Sequence, residues 1–374
     1  MLYCVGSGFI SLYLQGRGLG TAGIGTATAL FGILAALLQP ILGGLCDRSN
    51  RLTWRSMVLM LSVPFLVLCV IMPLIPGAWT GAVFIGMLML LANVIMPFVN
   101  SAHFYYSQAG ENINFGVARG IGSGLYALIA LLIGVLAECL SFEVVPFAGI
   151  MISGAFIIAI SRMPCTIKVV TKVPKEKAIQ KGFLLRYPAF TLMLLASFLM
   201  LTSQNIVNTY LLQIIQSLGG NSSQLGIALA IQAAVEVPIL FSFSKLIKHF
   251  RPTSLMLIAA IGYALKAILY AVSGNIPMIY LTQFTQMCSF AIFASASVYY
   301  TSERIAEEDQ ITGQAYMTSM FAAGTVLGSL IGGWVLEFSG MATMLSVNVI
   351  VSIFAVLLAI VSANYKGFCN KHSV

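Results

Sequence analysis

Four ionisable residues lie inside apolar stretches of the sequence, where a charged side chain is costly and usually functional. They are His103, Arg119, Glu236 and Lys266. Glu236 stands in the run AAVEVPIL, which has no polar neighbour to account for it. Burial and a nearby cation shift the pKa of a carboxyl group in opposite directions, so a Glu–Lys pair can exchange a proton near neutral pH. Glu236 and Lys266 are therefore a candidate proton-coupling pair. The alternative is that they only neutralise each other between adjacent helices.

Arg119 is a candidate for binding a polar ligand. Its guanidinium group is a planar fork of donors that suits carboxylates and paired hydroxyl groups. The alternative is that its long side chain reaches from the helix start to the nearby membrane surface.

Uncharged polar side chains form a second group of candidates. Amide and hydroxyl groups with aromatic residues among them suit polyhydroxylated or heterocyclic ligands. Each of these residues alone is as well explained by a hydrogen bond between two helices. The predicted ligand-binding residues, besides Arg119, are Asn100, His103, Asn205, Asn208, Gln283 and Gln286.

The composition identifies the kind of element that carries these residues. Hydrophobic residues make up 59% of the 374 residues and charged residues 8%, whereas soluble domains carry about 25% charged residues. The sequence contains many apolar segments of about 20 residues, the length that an α-helix needs to cross a bilayer. Such segments must be helices, because backbone N–H and C=O groups cannot stay without hydrogen bonds in hydrocarbon. The fold class is therefore an all-α polytopic membrane protein. The net charge of +8 is spread over loops, so it does not indicate nucleic-acid binding.

Cofactor chemistry has no support in the sequence. The seven cysteines occur singly, and the three histidines form no cluster with metal-ligand spacing. We expect no metal, no cofactor, no disulfide framework and no enzymatic activity.

Hydrophobic segments separated by turn residues predict twelve transmembrane helices. The short first segment, Met1–Leu14, has no features of a cleavable signal peptide and suggests a clipped first helix. The predicted spans are 1–15, 22–44, 56–75, 80–107, 115–138, 145–161, 187–214, 223–247, 253–273, 276–301, 311–336 and 341–363.

The distribution of Lys and Arg predicts the orientation. Of the 19 basic residues, seventeen fall on one set of alternate loops or its helix ends, Arg17 falls on the other side, and Lys266 lies in a span. Positive loops stay in the cytoplasm, so both termini and the basic stretch 162–186 are expected there. The predicted location is the cell membrane, as in a bacterial inner membrane.

The two parts of the chain also resemble each other. Pro40-Ile41-Leu42 is repeated as Pro238-Ile239-Leu240, 198 residues later, and the segment ending in Glu138 is repeated as the one ending in Glu337. A duplicated six-helix unit places a binding site between the halves, near mid-membrane. The predicted divisions are an N-terminal bundle 1–161, a cytoplasmic linker 162–186, a C-terminal bundle 187–364 and a tail 365–374.

Glycines at fourfold spacing predict close helix contacts. One stripe is Gly116, Gly120 and Gly124, and a second is Gly324, Gly328 and Gly332. These stripes either only pack helices together or also slide during a conformational cycle.

The segment QPILGGLCDRSNR, residues 39–51, resembles the loop signature Gly-x-Leu-x-Asp-Arg-x-Gly-Arg of the major facilitator superfamily. Asn50 replaces the signature's second Gly, and Asn also tolerates left-handed backbone geometry. This resemblance implies a cytoplasmic gate in which Asp47 meets the N-terminus of the eleventh helix. The predicted gating residues are Gly43, Asp47, Arg48 and Arg51.

Two passages are similar to the group of lactose permease, which comprises proton-linked sugar and nucleoside permeases. They are Gln39-Pro40 and the Phe-Gly-x-x-Arg run from Phe115 to Arg119. The sequence departs from the pattern of this group at two sites. Ser101 replaces a sugar-binding carboxylate, and Gln286 and Ser289 replace the His and Glu of the usual proton site. These departures weaken the case for lactose itself.

The resemblance implies a secondary active transporter that moves a small polar solute, of sugar or nucleoside type, together with protons. We expect it to work as a monomer in the lipid bilayer. An exporter of lipophilic compounds is the nearest alternative, because 18 Met and 23 Phe suit an adaptable apolar pocket. A non-transporting membrane receptor and a membrane-embedded enzyme are further alternatives.

Overall fold

A computed structural model of the chain describes residues 1–48, 53–108, 115–163, 183–306 and 309–365. These residues form helices and short connections, and no strand occurs among them. We call the described residues up to 163 the first half and those from 183 the second half.

The first half consists of helices, most of them long. Gly18 and Gly77 have positive φ angles of 85° and 121° in two of the turns between them, a geometry that favours glycine. A π-helical turn, Cys4–Gly8, precedes the first α-helix. The α-helices are α1 (Ile10–Gly16), α2 (Thr21–Arg48), α3 (Trp54–Ile71), α4 (Ala78–Gln108), α5 (Phe115–Cys139) and α6 (Val144–Arg162).

The second half repeats this pattern with more interruptions. Gly219 supplies a further turn with φ of 79°, and Asn221 caps the next helix through its side-chain oxygen. The helices are α7 (Phe183–Arg186), α8 (Pro188–Thr209), α9 (Leu211–Ser217), α10 (Ser222–His249), α11 (Pro252–Val272), α12 (Ile276–Gln283), α13 (Phe290–Arg304) and α14 (Gln310–Asn364).

Ten stretches of the described residues are long and apolar enough to cross a membrane. One of them, Thr312–Asn364, has 53 residues and is kinked at Gly340, whose φ is 83° and ψ 175°. About 20 residues suffice for one crossing, so this stretch is long enough for two. The segment up to Gly16 is broken at Phe9 and does not reach the length required. The multi-pass, all-helical fold is confirmed, and the number twelve stays a prediction.

Three helical segments are interrupted, and one of the three, Ile276–Arg304, is a candidate membrane span. The backbone leaves helical geometry at Phe9 between the π-turn and α1, and at Tyr210 between α8 and α9. Between α12 and α13 a 3₁₀ turn, Phe284–Met287, leads to Ser289, whose φ and ψ are −95° and −94°. Interrupted helices at membrane depth occur where the backbone is buried in protein or lines a cavity.

Buried apolar residues form three cores. One contains residues from both halves, between Leu2 and Val145 and between Ile206 and Leu345. A second contains residues of the second half alone, and a third contains residues of the first half alone. The halves therefore share one core and each keeps one of its own.

Helix pairs α2–α14 and α5–α10 join the halves. The hydrogen bonds between the halves cluster at one end of the bundle, where Gln15 Nε2 donates to Gln216 Oε1 at 2.9 Å and Gln213 Nε2 donates to Gln15 Oε1 at 3.1 Å. We call this the joined end. The opposite end, which holds Arg55, Arg162 and Lys248, we call the basic end.

The predicted glycine stripes have different surroundings. A Cβ on Gly324 or Gly328 would collide with α8, at 2.6 Å from Leu201 Cβ and 2.5 Å from Thr202 O, so this stripe packs two helices of the same half. In the other stripe, a Cβ on Gly120 would lie 2.6 Å from the Phe241 side chain of the second half, whereas Gly124 has open space around it. The backbones of the two halves approach each other further along α5, where a Cβ on Gly134 would come within 2.6 Å of Gly226 Cα.

Candidate functional site

A buried polar network joins Lys266 to Glu236 through the side chain of Gln286. Lys266 Nζ donates to Gln286 Oε1 at 2.6 Å, and Gln286 Nε2 donates to Glu236 Oε1 at 2.8 Å. Gln204 completes the network, because its Oε1 accepts from Lys266 Nζ at 3.2 Å and its Nε2 donates to Gln286 Oε1 at 3.3 Å. Lys266 is 3% exposed and Gln286 1%. Buried charges require such partners.

Four separate elements supply this network. Gln204 lies in α8, Glu236 in α10 and Lys266 in α11, while Gln286 lies in the 3₁₀ turn between α12 and α13. One turn before Lys266, a Cβ on Gly262 would come within 2.7 Å of Cys288 O. The absence of a side chain at Gly262 lets the interrupted segment approach α11, which brings Gln286 to Lys266.

The first half contributes Tyr126, which faces this network. Tyr126 lies in α5, which packs against the helix α10 that carries Glu236, and its hydroxyl is close enough to Glu236 to interact with it electrostatically. A Cβ on Gly8 would lie 2.8 Å from Tyr126 Oη. Glu236, which is half-buried, therefore lies where the two halves face each other.

The other predicted ligand-binding residues have more varied surroundings. Gln283 donates to the Tyr270 hydroxyl, and Asn205 Nδ2 donates to Leu201 O of its own helix at 2.8 Å. Asn208 has a buried Oδ1 with no hydrogen-bond partner among the described residues, so this acceptor can take a ligand donor. Asn100 is half-buried in α4.

Several predicted site residues lie partly or wholly outside the residues that the structure describes. His103 lies in α4 and Arg119 in α5, but their side chains lie outside the described part of the chain. The same holds for Asp47 and Arg48, at the end of α2. Arg51 lies wholly outside the described residues, and Gly43 has open space around it. Their roles stay predictions.

An ion pair at the basic end anchors the start of α14. Asp309 Oδ2 accepts from Arg186 Nη1 at 3.1 Å and from the Tyr187 hydroxyl at 2.9 Å. Burial and the hydrogen bond to the Asp309 carboxylate raise the pKa of Tyr187. This contact lies within the second half, so it fixes α14 against the start of α8.

The sequence indicated Gln204 only as one of several polar residues that could line a cavity, and it did not indicate Tyr126. Gln204 was one polar residue among several in its span, and nothing local distinguished it from its neighbours. Tyr126 follows Arg119 by seven residues, which is two helical turns on one face, and this spacing could have identified it. Within the described residues, no group of three His, Cys, Asp or Glu could hold a metal ion.

Residues 5–347 match the MFS_1 like family. A maltose permease from Geobacillus stearothermophilus is 26% identical over 365 residues, which cover 93% of this chain and 89% of the permease. The relatives are transporters and not enzymes.

Solved structures show the same fold. The nucleoside transporter NupG matches with a TM-score of 0.78 at 15% identity, over 98% of both chains. A mutant of the peptide transporter POT matches with a TM-score of 0.72 at 12% identity, over 97% of this chain and 90% of the other. At these identities the likeness concerns the fold alone. With a family match over nearly the whole chain, the protein belongs to the MFS_1 like family of membrane transporters.

Proposed function

We propose that the protein is a secondary active transporter that takes up a small polar solute, of sugar or nucleoside type, together with protons. The observation that carries this proposal is the Lys266–Gln286–Glu236 network, buried at an interrupted membrane segment and facing the other half through Tyr126. Interrupted helices at the interface of two repeats are where transporters of this general design bind substrate and coupling ions.

The substrate class follows from the site chemistry and from the relatives. Amide, hydroxyl and guanidinium groups can form hydrogen bonds with the hydroxyl groups of a sugar or with the edge of a nucleobase. The relative named maltose permease supports a sugar, and the fold of NupG is compatible with a nucleoside. Substrate contacts are assigned to Asn100, His103, Arg119, Asn205, Asn208, Gln283 and Gln286.

Coupling is assigned to Glu236 and Lys266. Glu236 is a half-buried carboxylate held on one side by the Gln286 amide. Its other surroundings include Tyr126 of the first half, so they change when the halves move. A group whose environment alternates in this way can take up a proton on one side of the membrane and release it on the other.

The orientation and the gate complete the proposal. Positive loops favour a cytoplasmic position for the basic end and both termini, and with the joined end facing outward the structure corresponds in this proposal to an inward-facing state. In the outward-facing state, Gly43, Asp47, Arg48 and Arg51 hold the basic end closed. The bundles 1–161 and 187–364 move relative to each other, the linker 162–186 connects them, and one copy of the chain suffices.

Uptake into proteoliposomes tests this function. A panel of maltose, other disaccharides and nucleosides is offered with and without an inward proton gradient. We expect accumulation of one class that stops when the gradient is collapsed. Glu236→Gln should abolish accumulation and keep substrate exchange, because exchange needs no net proton movement.

The controls separate the proposed parts. Glu143→Gln changes a carboxylate at the joined end whose partner is Arg17, and it should keep coupled uptake. Accumulation that survives collapse of the gradient would exclude proton coupling. Extrusion of lipophilic dyes without uptake of any polar solute would replace the proposal with an exporter.

A further inference from the structure

Two carboxylates at the joined end each cap a helix of the opposite half. Glu337 Oε2, near the end of the part of α14 that precedes Gly340, accepts from Ala22 N at 2.7 Å and from the Thr21 hydroxyl at 3.2 Å. Glu138 Oε2, at the end of α5, accepts from Ser222 N at 3.0 Å. Both donors lie in the first turn of a long helix, where free N–H groups and the helix dipole attract an anion.

The two contacts are equivalent within the repeated architecture. Ser222 lies 200 residues after Ala22, and Glu337 lies 199 residues after Glu138. The first half gives its carboxylate to a helix of the second half, and the second half gives the equivalent carboxylate to the equivalent helix of the first. Such an exchange is what an approximate twofold axis between the halves produces.

Close helix approach brings these groups into range. A Cβ on Gly134 would lie 2.8 Å from Ser222 O, and a Cβ on Gly333 would lie 2.5 Å from Thr21 O. The backbones therefore touch one turn from each carboxylate. Separation of the halves at this end breaks both contacts at once, because each contact crosses the boundary.

We propose that Glu138 and Glu337 are paired gate residues that hold the joined end closed during transport. The proposal rests on the proposed function only for the transport cycle and for placing this end on the outer side. When the joined end opens, the carboxylates leave the helix N-termini and become hydrated. Both residues are exposed, so each contact alone gives a modest preference and the pair biases the equilibrium.

Distances between spin labels test the proposal. Labels are attached at Leu140 and Gly274, which lie at the joined end in opposite halves, in a chain whose native cysteines are replaced by alanine. Leu140 is 73% exposed, and Gly274 has open space around it, so both sites accept a label. Pulsed electron paramagnetic resonance then reports the closed and open populations without any substrate.

Glu138→Gln and Glu337→Gln should each raise the ratio of open to closed joined ends roughly two- to fivefold, as expected for a surface charge at a helix N-terminus. The double variant should combine the two factors. Glu143→Gln is the matched control, because this carboxylate lies at the same end but pairs with Arg17 of its own half at 2.9 Å. Equal populations in all variants and wild type would overturn the proposal.

Salt provides a second measurement, made on the wild-type protein and on the double variant. Ions screen a surface charge at a helix end, so high salt should open the joined end of the wild-type protein and leave the double variant almost unchanged. The same salt response in both proteins would also overturn the proposal. Neither result depends on which solute is carried, so failure of the gate and failure of the proposed substrate are separate outcomes.

Discussion

Gln286 is the residue whose role the structure changes most. Its amide oxygen faces the Lys266 ammonium and its amide nitrogen faces the Glu236 carboxylate, so the two charges fix which way the amide points. The sequence predicted a Glu–Lys pair and a separate ligand-binding glutamine. The combination depends on three segments that meet in space, and local polarity cannot reveal it.

Removing the Gln286 amide should weaken the folded protein more than removing a similar amide nearby. Gln286→Leu leaves both charges short of a hydrogen-bond partner, which costs about 1.5–3 kcal/mol. Gln283→Leu removes only a neutral contact with Tyr270 and should cost about 1 kcal/mol. Thermal unfolding of the detergent-solubilised proteins compares the two. Equal loss of stability would mean that Gln286 holds no charge pair together.

At the element scale, the sequence predicted helices and turns better than interruptions. The glycines in the predicted turns, Gly18, Gly77 and Gly219, do adopt positive φ. The breaks at Phe9, Tyr210 and Ser289 were not predicted, although polar residues such as Asn208 and Gln286 precede two of them. Hydropathy reports where a segment lies in the membrane and carries no information on its local geometry.

Filling the space at Gly262 should displace the interrupted segment. Gly262→Ala places a methyl group 2.7 Å from Cys288 O, and overpacking against backbone costs about 1–3 kcal/mol. Substrate affinity should fall as well, since Gln286 moves with this segment. Gly154→Ala is the control, because Gly154 is helical with open space around it, and it should be neutral or slightly stabilising. Thermal unfolding and binding measurements report both effects.

At the scale of the whole molecule, the duplication was visible in the sequence and the closed end was not. The repeated segments that end in Glu138 and Glu337 indicated two related halves. Which end closes depends on contacts between residues about 200 positions apart, such as Gln15 with Gln216. Periodicity and charge distribution describe each helix separately, so they do not contain these contacts.

The shared apolar core predicts that the halves associate without a covalent link. Fragments 1–163 and 183–374, expressed together, should copurify through a tag on either one, because buried residues of both belong to a single core. Each fragment alone should be degraded or aggregate with its part of that core exposed. Copurification of an unrelated membrane protein at the same level would show that the association is not specific.

The buried polar network belongs entirely to the second half. Its four members are Gln204, Glu236, Lys266 and Gln286. In the proposed cycle they move together as one body, so the cycle need not break any of these bonds. We therefore propose that coupling occurs where Glu236 meets the first half and the solute. Directed evolution toward a new solute should therefore leave the proposed coupling pair, Glu236 and Lys266, unchanged and accumulate its changes among the proposed substrate contacts.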